Sequence, residues 1–226
     1  MKLSVIIPVY NEKATVKKVI EKVLAVPIEK EIIIVDDGST DGTKEILASM
    51  EKEKTPGIRI IFQSVNMGKG FAIRRAIPEV KGEYVVIQDA DLEYDPMDFL
   101  ELIRPLEEGK SEVVYGSRIL GRNPKSSFSF YAGGRFLSFL TNMLYGTSIT
   151  DEPTCYKMFK SDLLKSLDLH CRGFEFCPEV TAKIAKRRIK ILELPIKYRP
   201  RTKREGKKIN WKDGLIAIWT LIRYRF

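Results

Sequence analysis

The sequence predicts an α/β protein built on a mostly parallel sheet with helices on both faces. Two observations carry this. Apolar, β-branched runs alternate with stretches of helical period from Leu3 to about Gly116, and most of these runs stop abruptly at polar or acidic residues. Repeated strand, helix, strand is the pattern of a parallel sheet, in which ligands bind beyond the carboxyl ends of the strands.

Leu3 to Val9 is a continuous apolar run, as expected of a strand covered on both faces. Lys2 before it suggests a leader peptide, but Pro8 breaks the run. Asn11, Glu12 and Lys13 then stand where a small-residue cleavage site would be, so a first strand is the better reading. Asn11 is placed to cap a helix in which Val16, Val19, Ile20, Val23 and Leu24 recur at helical spacing. "EIIIVDDGSTDGT" is a second strand ending in acids. Gly38 and Gly42 make its turn, and Ser39 or Thr40 opens a helix carrying Ile46, Leu47 and Met50. Ile58 to Phe62 is a third strand, and "GKGFAIRRAI" opens a helix. Tyr84 to Gln88 is a fourth strand, Pro96 starts the next helix, and Glu112 to Gly116 is a fifth strand.

Beyond Arg118 the alternation weakens. "FSFYAGGRFLSFLTNMLYG" reads as an aromatic-rich amphipathic helix, "TCYKMF" as a strand, "PEVTAKIAKR" as a helix and "IKILELPIKY" as a strand. "RPRTKREGKKIN" is a C-terminal basic loop. It leads into an amphipathic helix, Trp211 to Arg225, with Leu215, Ile218, Trp219 and Ile222 on one side. At 1.5 Å per residue that helix is roughly 22 Å long, too short to span a bilayer core but suited to lying in its interface. No apolar stretch reaches the 18 or so residues expected of a spanning helix.

Charge is unevenly placed. Lys183 to Phe226 holds 15 Lys/Arg against 3 Asp/Glu, leaving 24 against 27 in the rest of a chain whose formal net charge is +9. A basic C-terminal region beside an acid-leaning body suggests phosphate-bearing partners. Cys155, Cys171 and Cys177 are odd in number and lack paired spacing, which argues against a zinc site or disulfide framework and for a reducing, cytoplasmic compartment.

The chemistry-bearing residues fall at strand ends: Tyr10, Asn11 and Glu12; Asp36 and Asp37; Asp89 and Asp91; Ser117 and Arg118. Asp89 and Asp91, with Glu93 nearby, offer hard oxygen ligands suited to Mg²⁺ or Mn²⁺, the ions that bridge phosphate groups. A nucleoside diphosphate would join such a metal to the basic region. Asp95 before Pro96 reads as a helix cap. Asp36 and Asp37 can accept from a ribose or a base edge. "NMGKGFAIRRA" lacks both the Walker A spacing and the third glycine of a dinucleotide loop, so a Gly-rich turn and backbone contact to a ligand both remain open.

"SVIIPVYNE", "IIIVDDGSTDGT", "NMGKGFAIRRA", "VIQDADLEYDP" and "VYGSR" stand in the order and spacing of inverting family 2 glycosyltransferases with the Rossmann-like GT-A fold. Within that family the chain looks most like dolichyl- and polyprenyl-phosphate mannosyltransferases. The resemblance implies a single domain over 1–226: a nucleotide-sugar half (1–118), an acceptor half with the basic loop (119–210) and an interfacial helix (211–226). It implies that Pro8, Tyr10, Glu12 and Asp37 hold the nucleoside and that Asp89 lies on the ribose side. Metal would be bound by Asp91 with Asp89 and Glu93. Arg118 and Arg135 would meet the acceptor phosphate, and Arg201 and Lys208 would close over the donor phosphates. Asp91 and Arg118 are then the residues nearest the chemistry.

The donor implied is GDP-mannose, the acceptor a polyprenyl phosphate, and the setting the cytoplasmic face of a membrane. Many members carry added spanning helices, so peripheral attachment or a separate membrane-spanning subunit would fill that role. Two local differences stand out. Arg135 and Ser138 are three apart where the resembled enzymes have four, and "EGKKI" replaces their Gly-x-Ser-Lys.

A hydroxyl acceptor would instead need a general base, for which Glu175, Glu179 and Asp151 are the candidates. A different class, a nucleic-acid or anionic-membrane binding module using Lys203, Arg204, Lys207 and Lys208, leaves the acidic strand ends unexplained, so no nucleic-acid partner is expected.

Overall fold

The computed structural model describes residues 2–121, 123, 124, 128–201 and 208–226. Among these, seven strands form one sheet: β1 Leu3–Val9, β2 Lys30–Asp36, β3 Ile58–Phe62, β4 Tyr84–Ile87, β5 Val113–Ser117, β6 Lys157–Lys160 and β7 Ile191–Pro195. Their order is β3-β2-β1-β4-β6-β5-β7. All neighbours run parallel except β6, which is antiparallel to both β4 and β5. The α/β architecture with a mostly parallel sheet is therefore the one found. Val5, Ile6, Ile7 and the run Ile32 to Val35 are completely or almost completely buried, which is why these central strands read as unbroken apolar runs rather than as alternation. Pro8 lies beyond the last β1–β4 pair, Ile6 with Ile87, so its missing N–H removes no bond to that neighbour.

The helices are α1 Val16–Ala25, α2 Thr43–Lys52, α3 Lys69–Ala76, α4 Phe99–Glu107, α5 Phe128–Tyr145, α6 Ser161–Ser166, α7 Phe176–Lys186 and α8 Trp211–Arg225. Three starts differ from expectation. Asn11 does not cap α1; it adopts a left-handed φ of 49° and its side chain accepts from the Thr40 amide. Asn tolerates that conformation better than most residues. The helix begins later, at Val16, whose amide bonds the Glu12 carbonyl. Likewise α2 begins at Thr43, not at Ser39 or Thr40, because Ser39 Oγ is used by the Asn11 amide and Gly42 turns the chain at φ 100°. After Asp95, a 3-10 turn over Pro96–Asp98 precedes α4, and the Asp95 side chain accepts from the Met97 amide as a cap.

Strand β6 starts three residues later than "TCYKMF" suggests. Thr154 donates to the Gly116 carbonyl at 2.6 Å, and the Cys155 amide donates to Tyr94 Oη at 3.0 Å. These bonds spend the first residues on bridging β5 and the segment after β4 before pairing begins.

Helix α8 starts in a capping box made by Asn210 and Asp213 and packs on α7 and α5. Ala217, Thr220 and Leu221 face inward, and Tyr145 Oη donates to the Leu221 carbonyl at 2.7 Å. The side bearing Leu215, Trp219 and Ile222 is left outside. Helix α5 continues that outer apolar surface with Phe136, Phe139 and Met143, all exposed.

Gly70 tests the packing at the start of α3. A Cβ there would sit 2.8 Å from the Gly173 carbonyl oxygen and 3.0 Å from Cys171 Sγ. Helix propensity alone favours Ala by about 1 kcal/mol. Overpacking against backbone costs about 1–3 kcal/mol, so Gly70→Ala is expected to lower the melting temperature. An unchanged or raised value would show that the 172–173 segment yields freely.

Candidate active site

The segments after β1, β2, β4 and β5 bring three groups of charged residues to one edge of the sheet. Both oxygens of Asp37 are engaged. It accepts from Gln63 Nε2 (2.8 Å) and from the amides of Met67 (2.7 Å) and Gly68 (2.8 Å). Burial pushes its carboxyl up, against the pull of those two amides. Asp36, buried beside it, accepts from the Ser39 amide through Oδ2, while Oδ1 has no partner among the described residues.

The amides at the start of α3 are likewise spent. Gly70 N donates to the Gly173 carbonyl and Phe71 N to that of Arg172. With Met67 and Gly68 held by Asp37, "NMGKGF" is a packed turn and not an open phosphate cradle. Its lysine has another use: Lys69 Nζ lies 2.6 Å from Asp89 Oδ1, with both side chains mostly buried. Burial works against the charge on Lys69, but Asp89 more than offsets it and the ammonium is stabilised.

The second group joins the far C-terminal region to β1 and β4. Arg201 reaches Glu12 with Nη1 (3.2 Å to Oε2) and Asp91 with Nη2 (3.0 Å to Oδ2). Lys208 Nζ lies 2.7 Å from Glu12 Oε1 and also bonds the Tyr10 carbonyl. Glu93 accepts from Tyr198 Oη and the Arg201 amide, each at 2.7 Å. Lys203, Arg204 and Lys207 lie outside the described residues.

Asp89, Asp91 and Glu93 are therefore not gathered around one point: Asp89 turns to Lys69, while Asp91 and Glu93 both meet the Arg201 guanidinium, and among the described residues no three His, Cys, Asp or Glu side chains form a metal cage. The donor set still suits Mg²⁺ or Mn²⁺, which take one or two carboxylates together with substrate phosphates. Burial, then the Asp89 and Glu93 charges, push the Asp91 carboxyl up to about 7 against the pull of Arg201. A divalent cation beside these carboxylates would stabilise the charged form that burial and the neighbouring acids disfavour.

A third group lies at the end of β5. Arg118 donates from Nε and Nη2 to the two oxygens of Asp151 at 2.8 and 2.7 Å. Arg135, on α5, donates to the neighbouring Thr150 carbonyl at 3.0 Å, so the two arginines meet the same short segment. Ser138 does not join them. It is buried, donating to the Gly134 carbonyl and accepting from the Glu152 amide, as its three-residue offset from Arg135 allows.

The candidate general bases are all engaged. Asp151 holds Arg118, Glu175 accepts from the amides of Arg172 and Gly173, and Glu179 accepts from those of His170 and Cys171. Glu179 also binds Lys183 at 2.7 Å. Cys155 and Cys177 are buried and their thiols pushed up by burial, which makes them poor nucleophiles.

Two structural partners carry no signal in the sequence. Lys69 is a single lysine between glycines, and only the fold sets it on Asp89. Tyr198 links the second and third groups, because its hydroxyl bonds Glu93 while the Arg118 guanidinium lies 5.1 Å from its ring centre. A groove beside β3, lined by Met50, Thr55, Ile58 and Ile60, sits at the outermost strand, away from these clusters.

The acid-bearing strand ends and the basic residues folded over them belong to a known class: residues 4–168 match the glycosyl transferase family 2, and the chain is a member of that family. Its fold is the GT-A fold that the sequence motifs resemble. Among curated relatives, a low-salt glycan biosynthesis hexosyltransferase from Haloferax volcanii is 28% identical over 98% of this chain and 52% of its own length. A UDP-N-acetylglucosamine–dolichyl-phosphate N-acetylglucosaminyltransferase from Methanococcus voltae is 32% identical over 85% of this chain and 83% of its own. The chain spans 52% and 62% of two long relatives, the second an undecaprenyl-phosphate 4-deoxy-4-formamido-L-arabinose transferase from Edwardsiella ictaluri. Among solved structures, glucosyl-3-phosphoglycerate synthase from Mycobacterium tuberculosis, crystallised with Mn²⁺, UDP and phosphoglyceric acid, superposes with a TM-score of 0.74 at 23% identity. That match covers 99% of this chain and 78% of the synthase.

Adjacent carboxylates beside Arg118 shift in opposite directions. Asp151 is buried, but Arg118 holds its carboxyl below the ordinary value. Glu152 is fully buried with Oε2 unpartnered among the described residues, and burial pushes it up to about 7 despite Lys157. Between the unfolded value of 4.5 and about 7 the folded state keeps a proton that the unfolded state has lost, so Glu152 costs stability as pH rises. Glu152→Gln is expected to flatten the change in melting temperature between pH 5 and pH 8. Asp151→Asn leaves Arg118 buried without its counter-ion and is expected to cost about 3–5 kcal/mol in denaturant titrations. An effect under 1 kcal/mol would show that Arg118 finds another partner.

Proposed function

We propose that this protein is a metal-dependent inverting glycosyltransferase that moves a hexosyl group from a nucleotide sugar to a polyprenyl or dolichyl phosphate at the cytoplasmic face of a membrane. The observation that carries this is the pairing of two charged clusters. Acids on β1 and β4 lie beneath Arg201 and Lys208, while Arg118 and Arg135 converge on residues 150–151, with Tyr198 in contact with both clusters. One cluster suits a diphosphate and its cation, the other an acceptor phosphate.

In this reading Pro8, Tyr10, Glu12 and Asp37 flank the nucleoside, Asp37 acting also as the brace of the 67–68 turn. Asp91, with Asp89 beside it, would hold Mg²⁺ or Mn²⁺, and Glu93 would position Arg201. Such an ion supplies Lewis-acid stabilisation to the departing diphosphate. Arg201 and Lys208 add positive charge where negative charge develops. An acceptor phosphate oxygen attacks the anomeric carbon, forming the new C–O bond as the bond to the donor β-phosphate oxygen breaks. The nucleoside diphosphate leaves with that electron pair. The attacking oxygen is already anionic near neutrality, so no base is required. This agrees with the engagement of Asp151, Glu175 and Glu179 elsewhere, and it favours a phosphate over a hydroxyl acceptor.

GDP-mannose as donor rests on the motif resemblance. Relatives named for hexosyl and N-acetylglucosaminyl transfer make UDP sugars the alternative. A nucleic-acid role is less well supported, because Lys208 points inward to Glu12 and Tyr10.

No described helix is long and apolar enough to cross a membrane. The outer surface of α5 and α8 is instead the proposed seat on an anionic bilayer. It exposes Phe136, Phe139, Trp211 and Trp219, is flanked by Lys212, Arg223 and Arg225, and continues along α5 to Arg135. Aromatic and cationic side chains together suit the headgroup region. A membrane-spanning partner subunit could reinforce that seat.

Calorimetric titration with GDP and UDP, each with and without Mn²⁺, tests the reading. One nucleotide is expected to bind in a Mn²⁺-dependent way, and Asp91→Ala to abolish that dependence and lower transfer by at least about a hundredfold. Absence of nucleotide binding under every condition would sink the proposal. On vesicles containing phosphatidylserine, Trp219→Glu with Phe139→Glu is expected to weaken sedimentation at least about tenfold, since each buried aromatic contributes about 1.5–3 kcal/mol. Nucleotide affinity should stay unchanged, and equal vesicle binding would rule out this surface as the seat.

A further inference from the structure

Resting on the donor-site reading above, one contact goes further. Both oxygens of Asp91 are engaged: Oδ1 accepts from the Glu93 amide at 3.1 Å and Oδ2 from Arg201 Nη2 at 3.0 Å. The guanidinium that occupies Oδ2 is not a casual surface group. Its side chain is only 15% exposed. Its backbone amide is pinned to Glu93 Oε1, and the preceding chain is clasped by the Arg199 amide on the Glu93 carbonyl and by the Tyr94–Tyr198 bridge. Nη1 and Nη2 both lie within 3.3 Å of Glu12 as well. One cation therefore spans the ends of β1 and β4, where Glu12, Asp91 and Glu93 would otherwise face one another across a poorly solvated gap.

We propose that Arg201 is a resident counter-ion of the donor site, exchanged at Asp91 when the metal–nucleotide complex binds. A guanidinium and a divalent cation cannot share one carboxylate oxygen at close range, because the repulsion between +1 and +2 in a partly buried site is severe. Asp91 is therefore screened from metal alone. Diphosphate changes the balance by offering Arg201 a second anionic partner that matches its planar fork. Arg201 then leaves Asp91 for phosphate oxygens, and the carboxylate is released for the ion that the same diphosphate carries. Metal and nucleotide become thermodynamically coupled through one side chain, and the coupling must be reciprocal. Lys208 and Lys69 keep Glu12 and Asp89 neutralised while this happens, so the exchange is confined to Asp91.

The test is Mn²⁺ binding, read by loss of the free-ion paramagnetic resonance signal and by calorimetry, on the full chain and on Arg201→Gln and Arg201→Lys. With Mn²⁺ alone, Arg201→Gln is expected to bind about tenfold more tightly than wild type, the size of one charge-assisted contact removed from competition. With GDP or UDP present, whichever binds, the same variant should show weaker Mn²⁺–nucleotide binding, so that the coupling factor falls by more than tenfold. Arg201→Lys should lie between the two. General loosening of the site would weaken both measurements, which separates it from exchange. If Arg201→Gln binds Mn²⁺ alone no better than wild type, or neither binds it measurably, Arg201 does not compete for Asp91 and the inference is overturned. That outcome is independent of nucleotide binding, whose failure would overturn the donor-site reading instead.

Discussion

Glu93 is the carboxylate on which the site depends. Its two oxygens accept from Tyr198 Oη and the Arg201 amide, and its own carbonyl takes the Arg199 amide. These three bonds fasten a segment more than a hundred residues away in sequence onto the loop after β4. They hold the Arg201 backbone where its guanidinium reaches Glu12 and Asp91. Leu92 takes a left-handed φ of 63° just before Glu93. A non-glycine residue there is a local backbone cost that the clasp offsets.

Electrostatics explains why so many acids can sit at one sheet edge. Each is matched to a cation, and Arg201 serves two of them: Asp89 pairs with Lys69, Asp91 with Arg201, Glu12 with Arg201 and Lys208, and Asp151 with Arg118. Pairing offsets the desolvation that a buried carboxylate suffers, and removing one partner leaves an uncompensated charge. The cations come from β5, α3 and the C-terminal segment, so charge balance itself holds these parts together. The same arrangement leaves the Asp91 carboxyl pushed up by burial and by the Asp89 and Glu93 charges, against the pull of Arg201.

The outer surface of α5 and α8 obeys a different constraint. Ala217, Thr220 and Leu221 dock α8 against its neighbours, while Leu215 and Trp219, on the side the sequence marks as apolar, remain exposed. The helix is therefore both packed and amphipathic outward. Helical periodicity identifies such a stripe but does not say whether the domain covers it; that depends on which face α7 and α5 occupy.

How much was legible follows from how local the cause is. Strands β1, β2, β4 and β5 and the polar residues at their ends were readable because a strand buried on both faces must be apolar throughout and must stop where it meets water. Final helix boundaries were readable because Asn210 and Asp213 cap locally. The antiparallel insertion of β6, the late starts of α1 and α2, and the closing of the "GKG" turn on Asp37 and the 172–173 carbonyls were not, since each depends on hydrogen-bond partners distant in the chain. The sequence by itself determined the family, the α/β alternation and the placing of charged residues at the strand ends. Only the tertiary structure decided which base meets which acid, because an ion pair is fixed by distance and burial, and neither is a property of neighbouring residues.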